Sequence, residues 1–111
     1  MKFIPVNRPL LTKSDLINVN KTLKSVWISS SGKELINFEK KFSKYIGHKY
    51  GVAVSSGTAA LDIAVKIAGL KKDDEIIIPN FTIISNALPA IKEKIKLKVV
   101  DCEKNNWNLN L

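Results

Sequence analysis

The most constraining stretch of the sequence is residues 52–61 (VAVSSGTAAL), where a short apolar run ends and a helical pattern begins. This order predicts a strand, a tight turn and a helix N-terminus. A helix N-terminus has unpaired N–H groups and a positive dipole end, and Gly57 lacks a Cβ that would keep an anion away. The hydroxyls of Ser55, Ser56 and Thr58 either cap the helix or hydrogen-bond a phosphate oxygen. The segment therefore indicates anion capture, although taken alone it fits an ordinary capped helix better.

A second strand follows this helix closely. Gly69 ends the helical pattern, residues 71–74 (KKDD) suit a turn, and residues 75–79 (EIIIP) resemble another buried strand. A strand, a helix and a second strand in this order predict a parallel pair joined by a crossover. The predicted fold class is therefore α/β.

Two amphipathic helices are predicted before residue 52. Thr12 and Asp15 suit a cap for the first helix, whose apolar stripe comprises Leu16, Val19, Leu23 and Val26. Ser31 and Glu34 suggest a capping box for the second helix, which ends at Gly47 and has an apolar face of Leu35, Phe38, Phe42, Tyr45 and Ile46.

Three later elements are also predicted. Residues 59–68 are apolar almost all round, which predicts a buried helix. A loop and a short helix follow Pro79, and Pro89 is expected to end or kink that helix. Residues 94–99 (KIKLKV) alternate, which predicts a strand with lysines on one solvent-facing side.

Four segments together resemble a known family. They are residues 27–32 (WISSSG), 38–42 (FEKKF), 56–61 (SGTAAL) and 74–82 (DEIIIPNFT). In order and spacing they resemble the DegT/DnrJ/StrS-type sugar-nucleotide aminotransferases, which are fold-type-I pyridoxal-phosphate enzymes. The resemblance runs from about Pro5 to the end. It implies that residues 1–111 are the N-terminal part of the cofactor-binding large domain, a mostly parallel sheet with flanking helices, without a complete second domain.

The resemblance also implies an activity. Such enzymes use pyridoxal 5′-phosphate to move an amino group, typically from glutamate, onto a keto-sugar nucleotide in polysaccharide biosynthesis. A homodimer in the cytoplasm is expected. The lysine that binds the cofactor and the acidic residue that pairs with its pyridine nitrogen lie in the family beyond the position of Leu111, so this chain alone is expected to be inactive, and the downstream nucleotide sequence is expected to encode the remainder.

The family pattern assigns roles to particular residues. The N–H groups of Gly57 and Thr58, with the Thr58 hydroxyl, are expected to hold the cofactor phosphate, and Ser56 to support the turn. Ile83 is expected to cover the pyridine ring of the cofactor. In the family, the residue at this position is often aromatic and stacks on that ring. In a separate segment, Trp27, Ser29 and Ser30 match a stretch near the substrate and the dimer interface, and a tryptophan packed under a loop explains that segment equally well.

The net charge of +8 raises the question of nucleic-acid binding. Seventeen of the 18 basic residues are lysines, spread along the chain without interleaved aromatic residues, so a solvated surface is the favoured interpretation. No transmembrane run or signal peptide is apparent. Cys102 is the single cysteine, His48 has no nearby partner, and no metal site is expected.

Two alternatives to the enzyme hypothesis remain at this point. One is a free-standing phosphate- or nucleotide-binding α/β module. The other is a non-catalytic remnant with only an assembly role.

Overall fold

The computed structural model describes residues 3–110. These residues fall into two compact units, divided between Ala53 and Val54. The chain combines α-helices with a parallel pair of strands, which confirms the predicted α/β fold class. No helix within residues 3–110 is long and apolar enough to cross a membrane. That residues 1–111 form part of one larger domain stays a prediction.

The first unit begins with helix α1, Lys13–Lys24. The Thr12 hydroxyl accepts a hydrogen bond from Asp15 N (3.3 Å), and the Asp15 carboxylate accepts from Thr12 N (2.7 Å). This reciprocal arrangement is a capping box and confirms the predicted start of the helix. Its apolar stripe is exposed within the described residues, since Leu16, Val19 and Leu23 each keep more than half of their accessible surface.

Helix α2, Lys33–Tyr45, starts differently from the prediction. Its N-cap is Gly32, and no side chain caps the helix, so the predicted box of Ser31 and Glu34 is wrong. The Ser31 hydroxyl instead lies 3.1 Å from the Ser29 hydroxyl. The predicted C-terminal signal is confirmed, because Gly47 has a φ of +72°, a conformation that glycine adopts without strain.

The predicted strand at residues 52–54 is not formed. The N–H of Ala53 donates to the Glu39 carboxylate of α2 (2.9 Å) instead of to a neighbouring strand. Gly51 fits closely beside α2, because a Cβ there would lie 3.1 Å from the Glu39 carbonyl oxygen. The Glu39 side chain therefore accepts the backbone hydrogen bond that a neighbouring strand was expected to accept.

The second unit contains helix α3 (Gly57–Ile67), strand β1 (Glu75–Pro79), a 3₁₀ turn (Ile84–Asn86), helix α4 (Leu88–Lys92) and strand β2 (Lys96–Val100). The two strands pair in parallel, with Glu75 opposite Lys96 and Pro79 opposite Val100. A parallel pair was predicted, but between residues 52–54 and 75–79. The crossover in the structure runs through the 3₁₀ turn and α4 instead.

Burial in the second unit is concentrated around α4. Ala87, Ala90 and Ile95 are buried, and α3 packs on α4 and the 3₁₀ turn. Helix α3 itself has no buried residue, so its predicted burial is wrong for the described chain. Strand β1 is not fully buried either, because Glu75 and Ile77 are exposed and its other three residues are half-buried. Pro89 lies in the first turn of α4, where its missing N–H costs no hydrogen bond, so it begins this helix rather than ending one.

Candidate functional site

The N-terminus of α3 is built by Ser56. Its backbone is extended (φ −162°, ψ 163°), and its hydroxyl accepts a hydrogen bond from Ala59 N at 3.2 Å. Its carbonyl accepts from Ala60 N at 3.1 Å. The N–H groups of Gly57 and Thr58 have no acceptor among residues 3–110. Two backbone donors thus remain available at the positive end of an 11-residue helix.

The space in front of these donors is open. A Cβ built on Gly57 would meet no atom within 4 Å, Gly57 and Ser56 are exposed, and Thr58 is half-buried. Helices α1 and α2 have an acidic residue in the first turn, whereas α3 has none. Neither a Cβ at residue 57 nor a carboxylate in the first turn of α3 therefore opposes a phosphate at these amides.

Two ion pairs join α3 to α4 and to Glu93, the residue that follows α4. The Lys92 ammonium lies 2.6 Å from the Asp62 carboxylate, and the Lys66 ammonium lies 3.6 Å from Glu93. Both lysines are more than half exposed, so each pair contributes modestly to stability. The other Asp62 oxygen is buried and has no partner among the described residues. These contacts hold α3 on α4, within the unit that also carries Ile83.

Ile83 lies between β1 and the 3₁₀ turn. Its side chain is 72% exposed, and its carbonyl accepts from Asn86 N at 3.0 Å. The turn that follows packs against α3. Ile83 is thus an accessible aliphatic side chain at the start of a segment that contacts α3, and its role at a cofactor ring stays a prediction.

Trp27, Ser29 and Ser30 lie in the first unit. Trp27 is 60% exposed, and a Cβ on Gly32 would lie 3.0 Å from its ring, so the indole packs beside this glycine. The Ser29 hydroxyl accepts from Ser31 N at 3.3 Å, while the side chain of Ser30 makes no hydrogen bond within residues 3–110. These contacts fit a tryptophan packed on a loop, and the substrate and interface roles of the segment stay predictions.

A polar cluster that was not predicted from the sequence lies at the carboxyl ends of the two strands. Asn80 follows β1 and Asp101 follows β2, and the Asn80 amide donates to the Asp101 carboxylate at 3.1 Å. The Cys102 thiol lies 3.4 Å from the Asn80 side-chain oxygen. The position of each residue directly after a strand was the available signal, because parallel strands end at the same edge of a sheet.

The comparison with protein families decides the relationship. Residues 9–111 match the DegT/DnrJ/EryC1/StrS aminotransferase family. The chain belongs to this family. The resemblance predicted from the four segments is therefore confirmed.

Two curated relatives resemble this chain over nearly its whole length. GDP-perosamine synthase of Escherichia coli O157:H7 is 38% identical, over 100% of this chain and 30% of that protein. Spore coat polysaccharide biosynthesis protein SpsC of Bacillus subtilis is 36% identical, over 97% of this chain and 28% of that protein. The chain thus spans about 30% of the length of these relatives.

A solved structure gives the same relationship in three dimensions. The Escherichia coli GDP-4-keto-6-deoxy-D-mannose-3-dehydratase, with bound hydrated pyridoxal phosphate, aligns with a TM-score of 0.84 and 27% identity. The alignment covers 96% of this chain and 28% of that enzyme. The chain therefore shares its fold with part of a larger protein that was solved with this cofactor bound.

Proposed function

We propose that this chain forms the N-terminal part of a pyridoxal-phosphate-dependent aminotransferase that moves an amino group onto a keto-sugar nucleotide. The proposal is supported by membership in an aminotransferase family and by a 38% identical relative named as a GDP-perosamine synthase. The observation that carries it is the open N-terminus of α3, with two free amides and no acidic residue in the first turn.

The residues at this N-terminus fit a phosphate ester. A phosphate dianion accepts several hydrogen bonds at once, and charge-assisted bonds of this kind are stronger than neutral ones. The N–H groups of Gly57 and Thr58 are the donors, with the Thr58 hydroxyl as a third. Ser56 keeps the first turn in place by bonding Ala59 N. A free phosphate-binding module has no comparable support from the family relationship.

The chain positions the cofactor, whereas the cofactor supplies the electron sink for amino transfer when it is bound. Phosphate binding at Gly57 and Thr58 anchors one end of the molecule. Ile83 covers the ring by dispersion contact, which provides attraction but not the stacking geometry of an aromatic ring. The lysine that binds the cofactor covalently is expected outside residues 1–111.

The reaction partners follow from the same proposal. The acceptor is a keto-sugar nucleotide and the amino donor is glutamate. The full-length enzyme is a cytoplasmic homodimer, in which Trp27, Ser29 and Ser30 lie near the substrate and the partner subunit. Neither nucleic acid nor a membrane is a partner.

Pyridoxine 5′-phosphate tests the phosphate site without interference from lysines, because it lacks the aldehyde that reacts with amines. We expect it to bind this chain at one site in a calorimetric titration, and pyridoxine, which lacks the phosphate, to bind at least about tenfold more weakly. Equal binding of both compounds, or tighter binding of AMP than of pyridoxine 5′-phosphate, would contradict the proposal. Treatment with pyridoxal 5′-phosphate and borohydride is expected to label no single lysine stoichiometrically.

A further inference from the structure

Asp62 is the acidic residue of α3, and it lies in the same row of side chains as Thr58. Residues four positions apart are neighbours on one face of a helix, so Asp62 lies one turn below Thr58, about 6 Å along the helix axis. Since the Cα–Cβ bonds of a helix tilt toward its N-terminus, the Asp62 side chain leaves the helix in the direction of the first turn. A carboxylate is therefore placed close to the amides that are proposed to hold a phosphate.

The charge of this carboxylate is matched by Lys92. The Lys92 ammonium lies 2.6 Å from one Asp62 oxygen, where it donates a hydrogen bond as well as forming an ion pair. The other Asp62 oxygen is buried and has no partner among residues 3–110, and the side chain as a whole is only 28% exposed. Because water reaches the Asp62 carboxylate only in part, its charge would be weakly screened without Lys92.

The lysine of α3 itself does not take this role. Lys66 follows Asp62 by four positions, which is the usual spacing of an ion pair within a helix. Its ammonium instead lies 3.6 Å from the Glu93 carboxylate, and the described part of the chain has no ion pair between Lys66 and Asp62. The counterion of Asp62 therefore comes from the last residue of α4, which lies 30 positions away in the sequence.

We propose that Lys92 raises the phosphate affinity of the α3 N-terminus by neutralising Asp62, an inference that rests on the proposed function. A phosphate dianion at Gly57 and Thr58 is attracted by the helix dipole, and a bare carboxylate one turn away would repel it. With Lys92 in place the ion pair has no net charge, so the dipole acts without this opposition. Lys92 acts through Asp62 and is a positioning residue rather than a ligand of the phosphate.

The two partners of the ion pair can be removed separately, with opposite expected effects on the phosphate. Lys92→Met leaves Asp62 charged and should raise the Kd for pyridoxine 5′-phosphate about fivefold at low salt. Asp62→Asn leaves Lys92 charged and should lower this Kd about twofold. An ion pair that served only to hold α3 on α4 would give the same loss of affinity in both variants.

Calorimetric titration of the chain with pyridoxine 5′-phosphate, at about 10 mM and about 1 M sodium chloride, measures these changes. The Debye length falls from about 30 Å to about 3 Å between these conditions, so the ratio of the Lys92→Met Kd to that of the unchanged chain should fall below about twofold. The double variant Lys92→Met/Asp62→Asn should regain the affinity of the unchanged chain. Lys92→Arg keeps the charge and should keep the affinity.

Lys72→Met is the matched control, since it removes the same charge at an exposed turn after the C-terminal end of α3. It should leave the Kd unchanged. Both members of the ion pair are partly exposed, so we expect the variants to fold, and circular dichroism checks this for each of them. If Lys92→Met does not fold, the sign of the Asp62→Asn effect and the Lys92→Arg variant still test the proposal.

The outcomes separate this inference from the proposed function. If the unchanged chain does not bind pyridoxine 5′-phosphate, the proposed function fails and this inference fails with it. If the unchanged chain binds, a loss of affinity in Asp62→Asn, an unchanged Kd in Lys92→Met, or a double variant that stays as weak as Lys92→Met would overturn the role of Lys92 while leaving the phosphate site in place.

Discussion

Helices α1 and α3 begin with the same cap but present different surfaces to an anion. Thr12 and Ser56 each accept a hydrogen bond from the third amide of their helix, at 3.3 and 3.2 Å. In α1 that third residue is Asp15, whose carboxylate bonds back to Thr12. In α3 it is Ala59, which leaves the N-terminus without negative charge.

If α3 holds the phosphate as we propose, free amides alone do not define such a site. The first two amides of both helices are free of hydrogen bonds within residues 3–110. What distinguishes α3 is the missing carboxylate and the missing Cβ at Gly57, where α1 has Lys13. In α1 the Asp15 carboxylate already lies at the positive end of the helix dipole. In α3 no carboxylate does, so an external anion can bind there.

Blocking the approach to α3 has the largest expected effect. Gly57→Val places a branched side chain in the open space before the first amide. We expect the affinity for pyridoxine 5′-phosphate to fall by about 2 kcal/mol, roughly a 30-fold rise in Kd, because one or two charge-assisted hydrogen bonds are lost. Calorimetric titration measures this change. Ala64→Val, at an exposed position in the middle of α3, is the control, and an unchanged Kd for Gly57→Val would place the phosphate elsewhere.

Giving α3 the N-terminus of α1 is the second test. Ala59→Glu creates a capping box with Ser56 and puts a carboxylate where Asp15 lies in α1. We expect a higher unfolding temperature together with about tenfold weaker binding of pyridoxine 5′-phosphate. Thermal unfolding and titration are measured on the same sample. Ala64→Glu adds the same charge outside the first turn and should leave the affinity unchanged. An equal loss of affinity in both variants would mean that the added charge repels the phosphate from any position on the helix.

The carboxylate at the N-terminus of α1 should make the stability of the chain depend on pH, and this effect is expected to be smaller. Hydrogen bonds from the Thr12 backbone and side chain hold the pKa of Asp15 below its ordinary value. A carboxyl whose pKa is lower in the folded state stabilises that state above its unfolded pKa, about 3.9, and loses this contribution as pH falls through the folded value. The free energy of unfolding should therefore fall less between pH 5 and pH 2 in Asp15→Asn than in the unchanged chain. Urea unfolding at a series of pH values measures this difference. Asp73→Asn, which removes an exposed carboxyl with no hydrogen bond in the described chain, is the matched control.

Local signals predicted the elements best where the interacting residues were close in sequence. The box of Thr12 and Asp15, the turns at Gly47 and Gly69 and the start of α3 at Ser56 all depend on residues within a few positions of each other. Family, fold class and the placement of the α3 N-terminus were therefore accessible from the sequence.

Contacts between distant or competing residues were not accessible in this way. Residues 52–54 read as a strand, but the acceptor for Ala53 N is Glu39, 14 positions away. Ser31 was a plausible cap, but it contacts Ser29, and Gly32 takes the N-cap position. The polar cluster at the strand ends depends on the pairing of β1 with β2, whose partners Glu75 and Lys96 lie 21 positions apart.

Backbone amide chemical shifts test the central claim most directly. On titration of the ¹⁵N-labelled chain with pyridoxine 5′-phosphate, we expect the largest shifts at the amides of Gly57 and Thr58. Pyridoxine without the phosphate should leave both nearly unmoved, and so should either compound at the α1 amides of Lys13 and Ser14. If the shifts instead spread over exposed lysines, or are as large at Lys13 as at Gly57, the open N-terminus of α3 is not the phosphate site.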